Sequence, residues 1–174
     1  MGRVLMKEVR SGGVGHSAAP LDDTDQVLLG LLAADARMAN KALARAAGIA
    51  PSTCLNRVRL LRERGVIRGY HADIDPEAIG RPIQAFVSVR LRAGSRSRIR
   101  ELTGRLAALP GVLNVYFLAG ANDFQLHVAC ESPSALSNFV VDNLSASQDV
   151  ALTETTLIFE HVAGRAQTRH THPG

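Results

Sequence analysis

Ser52, Thr53, Asn56, Arg57, Arg59 and Arg62 are spaced around Cys54, Val58 and Leu61 in one breaker-free run that starts at Pro51 and stops at Gly65. Asn and Arg side chains make paired hydrogen bonds to purine edges in the DNA major groove, and Ser and Thr hydroxyls bond bases or phosphates. Ser52, Thr53, Asn56 and Arg57 are therefore expected at base edges, and Arg59, Arg62 and Arg64 at the phosphate backbone. Between Arg37 and Arg68 the basic residues are Arg37, Lys41, Arg45, Arg57, Arg59, Arg62, Arg64 and Arg68, with Glu63 as the only acid. The net charge of +4 is thus gathered in one segment, where Lys41 and Arg68 are further phosphate candidates. A merely solvated basic helix has a similar composition, so the reading depends on what precedes this run.

Gly120-Ala121-Asn122-Asp123 suggests a second kind of chemistry. Amide N–H groups close to a glycine can accept an α-carboxylate, and Asp123 can pair with an α-ammonium. The same four letters also suit a plain hairpin turn. Elsewhere the residues argue against catalysis. His71 and His127 stand alone, with no paired acid and base and no activated nucleophile, so no catalytic residue and no enzyme is expected. Cys54 and Cys130 match no metal or redox spacing and read as buried thiols in a reducing cytoplasm. His161, His170 and His172 lie toward a polar C-terminus without fixed ligand geometry, so neither metal nor cofactor is expected.

Helical signals position the first set. Asp22 to Asp25 offer caps and first-turn negative charge to a helix carrying Val27, Leu28, Leu31 and Leu32 and ending near Ala34. Asn40 is expected to cap a short helix over 41–47, Gly48 to provide the left-handed turn and Pro51 to open the third helix. A short helix, a Gly turn and a longer basic helix make a helix-turn-helix, which delivers the last helix into the groove. Residues 66–70 then read as a short wing strand bearing Arg68.

Beyond a single helical turn at Asp75 to Gly80, Ile83, Ala85, Val87, Val89 and Leu91 alternate with polar partners, which predicts a strand. Ile99, Leu102, Leu106 and Leu109 mark a helix. Strands are expected over 112–119 and 124–130, a second helix after Ser132-Pro133-Ser134, and a last strand from Val150 to Val162. The order βαββαβ gives a four-stranded antiparallel sheet with helices on one face, and the uncovered face predicts dimerisation. The fold class is α+β: an N-terminal winged helix-turn-helix and a C-terminal ferredoxin-like βαββαβ domain. The expected divisions are an arm at 1–20, the DNA-binding domain at 21–70, a hinge at 71–82, the effector and assembly domain at 83–163 and a tail at 164–174. No apolar run approaches the roughly 20 residues of a membrane helix, so a cytoplasmic protein without membrane contact is expected.

Leu21 to Asp25, Ala50 to Cys54 running into Arg57-Val58-Arg59 and Leu61, Gly65 to Tyr70, Leu109 to Val112, and Gly120 to Asp123 resemble, in this order, the Lrp/AsnC (leucine-responsive/asparagine, feast/famine) regulators. The resemblance covers about residues 21–163. It implies a transcription regulator binding double-stranded DNA, with dimers assembling into octamers or larger forms and an amino acid bound between dimers. It also implies an effector site at Gly120, Ala121, Asn122 and Asp123, joined by Thr153, Thr155 and Thr156 of the last strand. The chain departs from the family where Ala50 replaces a capping Ser before Pro51, and where residues 146–151 lack a Pro-Gly turn. Siroheme decarboxylases share this two-domain pattern but would use His and Arg in a tetrapyrrole cleft. An effector-free, DNA-compacting architectural protein is the other alternative.

Overall fold

The computed structural model describes residues 20–162, which fall into two compact units meeting between Ala72 and Asp73. Of the arm expected at 1–20 only Pro20 is described, and the tail expected at 164–174, with His170 and His172, lies outside the described residues.

Three helices make the first unit: α1 (Asp23–Ala34), α2 (Asn40–Ala46) and α3 (Pro51–Glu63). Asp22 caps α1 by accepting the Asp25 N–H at 2.8 Å, satisfying one of the donors that a helix start leaves over. Leu28, Leu43, Ala44 and Cys54 form the buried centre, with Leu31, Ile49 and Val58 packed against it. Gly48 (φ 68°) and Gly65 (φ 71°) end α2 and α3 in the left-handed region, where a Cβ would be strained.

Two expectations about this unit need correcting. Asn40 is not a cap: it is the first residue of α2, Ala39 holds the capping position without a side-chain bond, and the Asn40 amide donates to the Pro51 carbonyl at 2.9 Å. The residue thus joins the start of α2 to the start of α3. Nor do residues 66–70 form a wing strand. The N–H groups of Val66 and Ile67 both turn back to the Leu61 carbonyl, at 2.9 and 3.1 Å, and close the end of α3 instead of donating to a ladder.

The second unit follows the expected order: β1 (Ile83–Leu91), α4 (Ile99–Ala107), β2 (Val112–Phe117), β3 (Phe124–Cys130), α5 (Pro133–Val140) and β4 (Val150–Ile158). The strands form one antiparallel sheet in the order β2-β3-β1-β4. Alternation along β1 sends Ala85, Val87, Val89 and Leu91 to one face, where they meet Leu126 and Val128 of β3, Leu102 and Leu106 of α4, and Phe139 of α5. Burying each of these Val, Leu and Phe side chains is worth about 1.5–3 kcal/mol. Ser132 caps α5 by accepting the Ala135 N–H, and a π-helical turn over Val141–Ser145 extends it. The helical turn expected at residues 75–80 is a turn closed by Gly80 N–H to Glu77 O and Arg81 N–H to Pro76 O.

A 3₁₀ segment, Ala93–Arg98, precedes α4 and was not expected, because its Arg/Ser/Gly composition has no apolar period. It is held through ionic groups. Asp149, buried before β4, receives Arg105 at 3.1 Å and Arg98 at 3.5 Å. The Ser95 hydroxyl, then Arg105 and Arg98, hold the Asp149 carboxyl below the usual carboxylate value.

Candidate nucleic-acid interface and effector loop

Helix α3 has two faces. Cys54 and Leu61 are buried and Val58 packs beside them, whereas Ser52, Thr53, Asn56, Arg59 and Arg62 are exposed. Burial pushes the Cys54 thiol up, so it stays protonated and packs as a small hydrophobe. On the exposed face Arg59 donates to Asn56 Oδ1 at 2.8 Å and pairs with Glu63 at 2.7 Å. Such exposed bonds contribute little to stability and exchange readily for an incoming partner.

Arg59, Arg62 and Arg68 line one groove of about 580 Å³ with Tyr70. The Arg62 guanidinium carbon lies 6.0 Å from the centre of the Tyr70 ring, at the outer limit of a cation–π contact. Sequence reasoning did not single out Tyr70, which is exposed beside these arginines. Lys41 is exposed on α2.

Arg57 differs from the other expected base readers. Its Nη1 lies 2.7 Å from Asp22 Oδ2 and 2.9 Å from Asp25 Oδ1, joining α3 to the start of α1. The Asp25 N–H and then Arg57 hold the Asp22 carboxyl below its usual value, and the two carboxylates raise Arg57 above its own. A guanidinium held this way braces the helix pair, so the base-reading role expected of Arg57 stands against two ion pairs that already engage it. The acids had looked like first-turn caps, so no local signal could reveal their longer-range partner.

The effector residues are also distributed differently from the expectation. Gly120 to Asp123 do not form a tight hairpin turn: β2 ends at Phe117, and a loop closes where the Leu118 N–H donates to the Asp123 carbonyl at 2.8 Å. Gly120 is not among the glycines with positive φ, so this loop does not need its left-handed freedom. Asp123 is buried, with Oδ2 accepting the Leu91 N–H at 2.8 Å and Oδ1 receiving Arg96 at 3.0 Å. Both oxygens have partners, so the carboxylate fastens the loop to β1 and the 3₁₀ segment and is not an unpaired acceptor waiting for an ammonium. Arg90 Nε also donates to the Ala121 carbonyl at 2.8 Å. The backbone around Gly120, Ala121 and Asn122 is therefore pinned from two sides.

The three threonines do not share one face. Thr153 pairs with Val89 and Thr155 with Val87, on the face that carries the helices, where Thr153 is half-buried and Thr155 is exposed at the sheet edge, whereas Thr156 pairs with Phe86 on the open face. On the open face His127 Nε2 lies 3.0 Å from Gln84 Oε1, and burial, then the charge of His161, lowers the imidazole pKa. With Gln84 accepting, Nε2 carries the proton of a neutral ring, an ordinary sheet residue. Among the described residues no group of His, Cys, Asp and Glu side chains is arranged to hold a metal ion.

An AsnC-type helix-turn-helix domain model matches residues 21–62, and an Lrp/AsnC ligand binding domain model matches residues 84–167. The HTH-type transcriptional regulator AldR of Mycobacterium tuberculosis is 53% identical over 148 residues, covering 85% of this chain and 83% of the relative. The leucine-responsive regulatory protein of Rhizobium meliloti is 35% identical, covering 84% of this chain and 94% of its own length. A transcriptional regulator of Neisseria meningitidis, solved as a complex with L-Met, superposes with a TM-score of 0.76 at 28% identity, covering 83% of this chain and 94% of the other.

Two outcomes follow from the ion pairs. Arg57→Ala lowers the melting temperature at pH 7 while leaving relative preference among DNA duplexes unchanged. Asp22 has a depressed folded-state pKa, so its contribution is complete above the unfolded value of 3.8 and is lost as pH falls below it. The gap between wild type and variant should accordingly close over that acid range in a melting series. For the loop, Asp123→Ala leaves the buried Leu91 N–H without an acceptor and costs about 1–3 kcal/mol. Asp123→Asn keeps an oxygen there and costs less, as urea denaturation of both variants would measure.

Proposed function

The chain belongs to the Lrp/AsnC family of transcription regulators, and on that premise we propose that α3 reads base sequence while the loop at Gly120 to Asn122 answers to an amino acid. The chain is a DNA-binding regulator and not an enzyme. The observation that carries the assignment of α3 is its division into a face locked in the core and a face of exposed hydrogen-bonding side chains. Ser52, Thr53 and Asn56 are the base readers. Arg59, Arg62, Arg68 and Lys41 neutralise phosphates, with Tyr70 beside Arg62. No described helix is long and apolar enough to cross a membrane, and DNA binding assigns the protein to the cytoplasm.

The effector reading is supported by the ligand-binding-domain match over residues 84–167 and by the L-Met complex of the Neisseria relative. In this reading the backbone of Gly120, Ala121 and Asn122 offers N–H groups to an α-carboxylate, and Asp123 sets the loop in place. Thr153 and Thr155 contribute hydroxyls from the helix-covered side, and Thr156 lies apart on the open face. The open sheet face, where Phe86 lies beside the polar Gln84 and His127, is the surface through which two copies pair. Dimers then build an octamer or a larger form, presenting pairs of reading helices to a roughly palindromic site.

Binding isotherms on selected and random duplexes test the DNA reading. Asn56→Ala should cost about 1–3 kcal/mol on the selected site and relax its sequence preference, whereas Arg68→Ala should weaken all duplexes alike and reduce the salt slope by about 1. Unchanged affinity and preference in Asn56→Ala would remove α3 as the reader. Calorimetry of the full chain against the common amino acids tests the loop, with heat expected from at least one of them. If none gives heat, the effector reading falls. Sedimentation as an 18.6 kDa monomer at micromolar concentration would rule out pairing through the sheet.

A further inference from the structure

Ser52, Leu55, Asn56 and Arg59 recur at i, i+3, i+4 and i+7 and form one stripe on the outer side of α3, away from buried Cys54 and Leu61. Three of the four carry hydrogen-bonding groups, and Leu55 carries none. It is nevertheless 62% exposed, more than any other large hydrophobic side chain described in the first unit. The Asn56–Arg59–Glu63 bonds keep the neighbouring polar groups engaged with one another. Leu60, the other exposed leucine of α3, lies about 140° away around the helix, so the two do not merge into one patch.

A lone apolar group inside a polar, basic stripe is a poor match for a protein partner, whose interface core needs contiguous apolar surface. It suits a surface that is mostly hydrogen-bonding and anionic but has one apolar point. The DNA major groove is such a surface: among the four bases, only thymine presents an apolar group there, its 5-methyl. We propose that Leu55 packs on a thymine 5-methyl group and specifies a T·A pair at one position in each half-site. This rests on α3 being the reader and adds to it a determinant that makes no hydrogen bond.

Removing the methyl from DNA and the side chain from the protein forms a double-mutant cycle. Full-length wild type first selects its site from a random duplex pool, and each thymine of that site is then exchanged singly for uracil. At one position per half-site the exchange should weaken wild type about fourfold, the factor corresponding to about 0.8 kcal/mol for one buried methylene-sized group. Leu55→Ala should bind the thymine and uracil duplexes equally. Leu55→Gln, of similar length but polar, should behave like Leu55→Ala. If either variant lost its fold, melting would show it and the other would complete the cycle. No uracil-sensitive position, or sensitivity that persists in both variants, overturns the role of Leu55 while leaving α3 as the reader. Failure of wild type to select any site overturns both readings. If Leu55→Ala changes sedimentation but not the uracil response, the side chain contacts protein and the inference is also overturned.

Discussion

The Arg57 guanidinium, held between Asp22 and Asp25, ties α3 to the start of α1, and which side chains of α3 face outward follows from how the two helices are joined. Apolar burial of Cys54 and Leu61, with Val58 beside them, is non-directional and locates a helix less sharply than a paired charge does. A charged group reaching two carboxylates 32 and 35 positions away is less tolerant. The core supplies most of the energy, through burial, and the ion pair supplies direction. With α3 joined in this way, Ser52, Asn56 and Arg59 point outward together. The Asn40 bond to the Pro51 carbonyl adds a second fixed point at the beginning of the helix, where Ala50 supplies no side-chain cap.

The second unit uses buried carboxylates for a similar purpose. Asp123 and Asp149 lie near the end of β1, where Leu91 N–H donates to the first side chain and Arg92 N–H to the backbone carbonyl of the second residue. Arg96, Arg98 and Arg105 face them from the 3₁₀ segment and α4. The arginines are about half exposed and the two carboxylates largely covered, so the pairs contribute chiefly by satisfying the carboxylates. The loop over residues 118–123 is consequently a tethered piece of backbone. A ligand there would meet amides already held in place, with little ordering still to be done.

Most of the architecture was legible because it follows from periods. The alternation of β1, the 3.6-residue spacing of α1, α3 and α4, and the Gly and Pro punctuation are local properties that burial rewards wherever they occur. The failures were of other kinds. The 3₁₀ segment has no apolar residue at helical spacing, and the partners of Arg57 and Asp123 are distant in sequence, so residue type alone revealed neither set of bonds. Residues 66–70 resemble a strand in composition, but the first two N–H groups are used in closing α3. The opposite faces of Thr155 and Thr156, by contrast, could have been read at once, since neighbours in a strand alternate.

Arg57 ties α3 to α1 from a different side of the helix than the exposed stripe. The residues that fix α3 in its unit, Arg57, Cys54, Leu61 and Asn40, are different residues from those exposed at 52, 55, 56 and 59. Substitutions on the exposed stripe can therefore accumulate without disturbing the fold, so a duplicated copy of such a chain could change that surface and keep its three-helix frame. A helix in which the same side chains both held the fold and met the bases would have had to trade one task against the other. Here the separation leaves the exposed stripe free to change while the scaffold stays constant.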